Sequence, residues 1–382
     1  MRIILIALAV TLAKSQWILL EKDSPPLLSP AENARPHPTS NSVALWCEST
    51  DDITYLLNNE QLWRYELRNK RWLWQPPLPV GIGNRTDAAY WTVDNMFYLY
   101  GGRDATTGTV YSDMWVYDIM ARAFTKLLDR SAACYGSAFW KHETTNHLFM
   151  WGGCNTSTSG LRAYDLNNRA WTENVPNHDG GNGKPVPAEF SAATLAAEGN
   201  VVYLYTDDKL WKLDLLQLTW TQADTNSGTS PPGPQRTHHV LWTGQDQSIM
   251  LYGGQAGGKR YTDTWSYHKD AWKLLDIGNG PSARIGYTTC VDKSGDLVLF
   301  GGGRTNDLYK YGEITVQTVF ELIEWKLDSA TLTASVAAVF SALVFFGLVV
   351  LALYLCVRRC VKKRKQKQSM GLLRKNDEEF EI

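Results

Sequence analysis

Four times the chain runs an apolar, aromatic stretch into a pair of glycines: MFYLYGG at 96–102, HLFMWGG at 147–153, IMLYGG at 249–254 and LVLFGG at 297–302. No other feature limits the possible folds as much. Glycines fixed at a strand end mark a sharp turn where neighbouring backbone comes too close for a Cβ. After each pair come a variable loop and a second strand with a central Tyr. A Trp or Phe follows: Tyr117 with Phe124, Tyr164 with Trp171 and, at a shorter interval, Tyr267 with Trp272. Two further copies, YLLNNEQLWRYELRNKRW (55–72) and YLYTDDKLWKLDLLQLTW (203–220), match each other in length but carry Asn58-Asn59 and Thr206-Asp207 at the glycine positions. A sixth copy is LVLFGGGRTNDLYKYGEI (297–314). Upstream of these copies lies another β-like run, opened by arginine in RTDAAYW (85–91), RSAACYGSAFW (130–140), RTHHVLW (236–242) and RIGYTTC (284–290). Four short strands therefore recur every 43–55 residues or so, the period of a propeller or a comparable array.

With the hydrophobic strand, the diglycine and the spaced Tyr and Trp in place, the chain resembles Kelch-repeat β-propellers over residues 16–315. The resemblance implies an all-β, six-bladed Kelch-type propeller. The sixth copy lacks an aromatic-led outer strand after Tyr311. The segment QWILLEK (16–22) resembles the missing piece when set beside AWKLLD (271–276). Its pairing into the last blade near Trp17 would close the ring and leave no edge there. FELIEWKL (320–327) is the alternative donor, although it also reads as a membrane-proximal segment.

Outside the repeats the chain has the marks of a type I single-pass membrane protein. Arg2, the apolar run 3–13 and the small-residue pattern AKS form a leader over 1–15. After a linker at 316–331, the uncharged stretch 332–357 is long enough for one transmembrane α-helix. RRCVKKRKQK follows directly and directs the short tail, 358–382, to the cytosol. The tail carries nine Lys/Arg against four Asp/Glu, whereas 16–331 carries 27 against 35, so the basic excess lies wholly behind the apolar run. The expected location is the plasma membrane or a secretory-pathway membrane, and no nucleic-acid partner is expected.

Export exposes Cys47, Cys134, Cys154 and Cys290 to oxidation. Antiparallel neighbours bring Cys134 and Cys154 together. Cys47 and Cys290 occupy equivalent places in the first and last blades, where a bridge would lock the ring but adjacent blades are expected to stand far apart. Two free thiols are the other reading, and spacing alone leaves the connectivity open. Asn84 and Asn155 open glycosylation sequons. Cys356 and Cys360 sit beside the basic cluster, as palmitoylated or as ordinary helix-end cysteines. The basic cluster suits anionic inner-leaflet lipids, and Phe380 and Ile382 at the terminus fit a PDZ-type partner.

No catalytic constellation, cofactor motif or metal-ligand spacing emerges. His238-His239 is the one adjacent His pair, without a second cluster such as the copper oxidases built on Kelch-like propellers would require. Asp207-Asp208 reads as a turn. Arg85, Arg130, Arg236 and Arg284 share one blade position, and in some Kelch propellers arginines at a similar position bind acidic peptides. Two readings follow: guanidinium groups converging on an anionic ligand at the channel mouth, or arginines that each hold their own loop. The expected function is binding of an extracellular protein or an anionic glycan, as receptor, adhesion or cargo-recognition module. A tethered sugar-modifying enzyme and a scaffold working through its tail are the alternatives.

Overall fold

The computed structural model describes residues 15–22, residue 36 and 43–313, apart from 49–52, 59–60, 68, 76–77, 80, 83–84, 128–131, 143, 155–159, 197–198, 224–231 and 278–279. The expected leader up to residue 14, linker, membrane span and tail lie outside these residues, as do Arg130, Asn84, Asn155, Cys356, Cys360, Phe380 and Ile382. Among the described residues no helix is long and apolar enough to cross a membrane.

Lys14–Glu313 forms one compact unit of six blade sheets, with a separate two-stranded pair, Arg85–Thr86 against Arg103–Asp104. The inner strands of the blades are, in chain order, Ala44–Cys47, Ala89–Val93, Ala138–His142, Ala192–Leu195, Thr237–Thr243 and Tyr287–Val291. Each sheet continues outward through the next strands of the chain, as in blade 2, where Ala89–Val93 is followed by Met96–Tyr100, Met114–Asp118 and Ala123–Lys126. Blade 4 adds the two-residue strand His178–Asp179, parallel to its outer strand. Six apolar clusters, each shared by two neighbouring blades, complete the circle. Trp72 of blade 1, for instance, meets Phe300 of blade 6 at 5.4 Å.

Blade 6 takes its outer strand from the start of the chain. Ser15–Glu21 pairs antiparallel with Leu308–Glu313, with Trp17 opposite Tyr311. Ser15 is the last residue of the expected leader, so a chain beginning at Gln16 keeps every pair but the first. The other blades place the same aromatic contact across their two outer strands: Tyr65 with Trp72, Tyr117 with Phe124, Tyr164 with Trp171 and Tyr267 with Trp272, with Leu213 opposite Trp220 in blade 4. Trp17 is thus the sixth member of a set spread around the ring.

The glycine pairs have two separate contacts. Gly101 and Gly102 adopt φ of 64° and 88°. A Cβ on Gly101 would strike the backbone of Cys134 in the following blade, while one on Gly102 would come within 2.7 Å of the Thr86 carbonyl in its own blade. Left-handed backbone without a side chain is what this double approach requires. In blade 4 the turn is carried by Asp207 and Asp208, at φ 50° and 60°.

The four cysteines among the described residues form two bridges. Cys134–Cys154 lies within blade 3, ahead of the inner strand rather than at its start. Cys47–Cys290 joins the inner strands of blades 1 and 6 with Cα atoms 5.6 Å apart, inside the usual range for a disulfide. The expected excessive separation does not occur because inner strands converge on the axis, whereas outer strands fan apart.

Candidate functional site

The inner strands enclose a central cavity of about 740 Å³, with lining contributed by all six blades. Its wall is aromatic in the middle. Tyr90 reaches past blade 1 to blade 6, where its hydroxyl donates to the Thr289 carbonyl at 2.7 Å and accepts from Thr288 Oγ1 at 3.0 Å. Phe139 packs 4.8 Å from the Tyr90 ring, and Trp46 lies on its other side at 6.1 Å. Burial raises the Tyr90 phenol above its ordinary value, so it stays a neutral hydrogen-bonding strut.

The mouth is built by one residue from each of blades 2 to 6 in left-handed backbone, ahead of the inner strand or, for His238, at its second position: Asp87, Gly136, Phe190, His238 and Gly286, with φ between 56° and 74°. Backbone hydrogen bonds link four of them, blade to blade. Gly136 N donates to the Asp87 carbonyl at 2.7 Å, Phe190 N to Gly136 at 2.6 Å and His238 N to Phe190 at 3.3 Å. Asp, Gly and His tolerate this conformation, whereas a phenylalanine there is uncommon. The Phe190 ring stacks on His238 with centroids 3.9 Å apart, meets Tyr135 edge-on at 5.9 Å and lies under the Arg103 guanidinium at 5.7 Å. Arg103 is also 3.0 Å from Asp87. Aromatic faces, a guanidinium and a carboxylate therefore crowd one rim.

The repeated arginines are not part of that rim. Arg85 is fully buried, with Nη1 and Nη2 at 2.7 and 3.0 Å from the two oxygens of Asp113 and Nη1 also donating to the Gly101 carbonyl. Arg236 repeats this with Asp263 at 2.6 and 2.8 Å and the Gly253 carbonyl. Arg284 does so with Asp307 and the Gly301 carbonyl. Tyr111 and Tyr261 cover the first two guanidinium groups at 4.2 and 4.0 Å. The expectation that Arg85, Arg236 and Arg284 bind a ligand is corrected: each ties the first glycine of its own blade to an aspartate ahead of the third strand. The lining holds the carboxylates of Glu48, Asp87, Asp94 and Asp292 against Lys141 and Lys293, so it offers no basic excess for an anionic glycan.

The aspartate partners escaped sequence reading. SDMW, TDTW and NDLY place Asp113, Asp263 and Asp307 two residues before an aromatic, and an Asp there passes for an ordinary turn residue. Burial alone would raise the carboxyls of Asp113 and Asp263, but hydrogen bonds and charge from Arg85 and Arg236 more than offset it and hold both below the usual range.

The left-handed turn at His238 sends the two histidine rings apart. His238 goes to the rim, while His239 is buried between blades 4 and 5 and its Nε2 donates to the Tyr205 carbonyl at 3.2 Å. Burial lowers the His239 pKa to about 4 from an ordinary 6.5. Its neutral form is favoured in the fold, so its contribution to stability is complete above 6.5 and is lost as pH falls towards 4. The expected result is a wild-type urea midpoint that drops between about pH 7 and pH 4 more steeply than that of His239→Asn. Parallel slopes would show that His239 is hydrated in the folded state.

Among known families, residues 128–302 match the KLHDC2/KLHL20/DRC7 Kelch-repeats domain. The chain is similar to human Kelch domain-containing protein 1, 23% identical over 67% of this chain and 71% of that protein. It is also similar to bovine Kelch domain-containing protein 2, 24% identical over 66% and 69%. An F-box/kelch-repeat protein of Arabidopsis thaliana is 28% identical over 31% of this chain and 27% of that protein. The matched domain and these relatives support the Kelch family, and with it an all-β, six-bladed propeller that serves as a protein-binding module.

Proposed function

We propose that this Kelch-type propeller is the display head of a single-pass membrane protein and takes a segment of a protein partner into the mouth of its central cavity. The observation that carries the reading is the cavity: about 740 Å³, walled by every blade, with Phe190 and His238 in its lining and Arg103 and Tyr135 packed against Phe190. A cavity of this size that converges aromatic and polar side chains from every blade has the dimensions of a usual binding site. The buried arginines remove the reason to expect an anionic glycan, and the aromatic rim favours a peptide with an apolar or aromatic side chain.

The leader at 1–15 and the span at 332–357 support a head that faces the lumen or the cell exterior, with Asn84 and Asn155 as sugar-bearing sites. The tail would then meet anionic lipids through 358–367 and a PDZ protein through Phe380 and Ile382. Protease protection of microsomes carrying the full chain tests this topology: only a C-terminal fragment should be digested, and glycosidase should shift the protected part.

The binding reading is tested on cells that express the full chain, by cross-linking and identification of captured proteins. Val240 lines the cavity wall, and Val240→Arg would fill the space with a charged side chain. Met120, 79% exposed on the outside of blade 2, supplies the control Met120→Arg. Capture that survives Met120→Arg but not Val240→Arg supports the cavity. A partner retained equally by both, with both variants folded, would sink it.

A further inference from the structure

Blade 3 contains a buried cation with an unusual neighbour. Arg162 lies on the third strand, Leu161–Asp165, and is 1% exposed. Its Nη1 is 2.7 Å from Cys134 Sγ and 2.9 Å from Cys154 Sγ. Its Nη2 pairs with Glu173 of the outer strand, and the Trp171 ring lies 5.7 Å from the guanidinium carbon. Arg162 does not belong to the repeated arginine–aspartate set: Glu173 answers its charge through Nη2, while Nη1 faces the two bridged sulfurs. Bridged sulfur is a weak acceptor, so the Nη1 contact returns little while the bridge is closed. A guanidinium aimed at both sulfurs gains its full interaction only when one becomes a thiolate.

We propose that Cys134–Cys154 is a thiol-exchange site in which Arg162 holds the departing sulfur. Cys154 is the more exposed of the two residues, while Cys134 is 1% exposed. The thiolate of an external monothiol attacks Cys154 Sγ. The electron pair of the broken bond goes to Cys134 Sγ, which leaves as a thiolate beside Arg162 Nη1. A second monothiol then attacks the external sulfur of the mixed disulfide and releases Cys154, which takes up a proton. Two thiols are oxidised to one external disulfide, and the protein bridge gains two electrons.

The surrounding fold can survive the opening. Cys134 N donates to the Tyr111 carbonyl at 3.2 Å, and its carbonyl accepts from Gly102 N at 2.8 Å, so the backbone stays tied to blade 2 when the sulfurs separate. The other bridge provides an internal comparison. Both bridges touch apolar clusters, but Cys47–Cys290 lines the central cavity, and among the described lining residues there is no arginine to hold a thiolate.

The full-length protein is treated with graded reduced glutathione, trapped with N-ethylmaleimide and mapped by peptide mass spectrometry. The expected result is label on Cys134 and Cys154 at a glutathione concentration about tenfold or more below that needed for Cys47 and Cys290. Arg162→Gln should slow the opening about tenfold, and Arg162→Lys should restore part of the rate. Simultaneous opening of the two bridges, or earlier opening of Cys47–Cys290, would overturn the assignment, and so would a folded Arg162→Gln that opens as fast as wild type. If Arg162→Gln does not fold, the wild-type comparison of the two bridges decides alone.

Discussion

Arg85→Met is expected to lower propeller stability by about 3–5 kcal/mol, the cost of removing one partner from a buried ion pair. The substitution keeps most of the apolar stem but leaves Asp113 charged and enclosed. It also strips donors from the carbonyls of Ile82, Gly81 and Gly101. Asp113→Leu alone should cost a similar amount, because the guanidinium is then the stranded charge. The double variant should cost clearly less than the two single losses combined, since no unpaired ion remains. Urea midpoints followed by tryptophan fluorescence give all three values. Additive losses, or a single loss below about 1 kcal/mol, would mean that water reaches the pair. The pH dependence has a fixed sign. The carboxyls of Asp113 and Asp263 lie below their ordinary range, so their stabilisation is complete above that range and is lost as pH falls from it through the lower values of the folded state.

Trp17→Ala carries the second large effect. Trp17 is 7% exposed, its Nε1 donates to Thr264 Oγ1 at 3.1 Å, and its ring sits 4.5 Å from Tyr252 and 5.2 Å from Tyr311. Deleting an enclosed indole costs about 3–5 kcal/mol. Here the loss falls on the strand that completes blade 6 and on the cluster shared with blade 5. Trp74, at 52% exposure on the outer strand of blade 1, is the matched control, and its alanine variant should change stability by no more than about 0.5 kcal/mol. Equal losses at the two positions would show that the N-terminal strand contributes no more than ordinary surface.

Much of the architecture was open to reading because Kelch-type repeats advertise backbone geometry. The diglycines mark where two chains approach one strand end, and the Tyr and Trp spacing marks residues that face one another across the outer strands. Trp17 could be found because five outer strands had their aromatic and the sixth did not. The direction of a side chain is harder to read. Arg85, Arg236 and Arg284 occupy equal positions whether they point at a ligand or into the blade. Only the recurrence of Asp113, Asp263 and Asp307 before the third strand distinguishes the two, and variable loop length hides it. His238 and His239 look like a pair of ligands until the left-handed turn at His238 separates them. Cys47 and Cys290 looked too distant because blade spacing was judged without regard to radius. The rim was legible in part: Asp87, His238 and Gly286 each stand two residues after an arginine, but Phe190 has none of the composition expected for left-handed backbone.

The union of Ser15–Glu21 with Leu308–Glu313 also imposes an order on synthesis. The first strand of the propeller to leave the ribosome is the outer strand of the last blade, and its partner follows almost 300 residues later. At about 5–20 residues per second that is a wait of roughly 15–60 seconds. Throughout it, Trp17 has no Tyr311 to meet and the strand is an unpaired edge. A chain that stalls or is cut short before Leu308 remains in that condition permanently. The nascent protein therefore carries at its front end a built-in marker of incompleteness, erased only when translation of the sixth blade is finished.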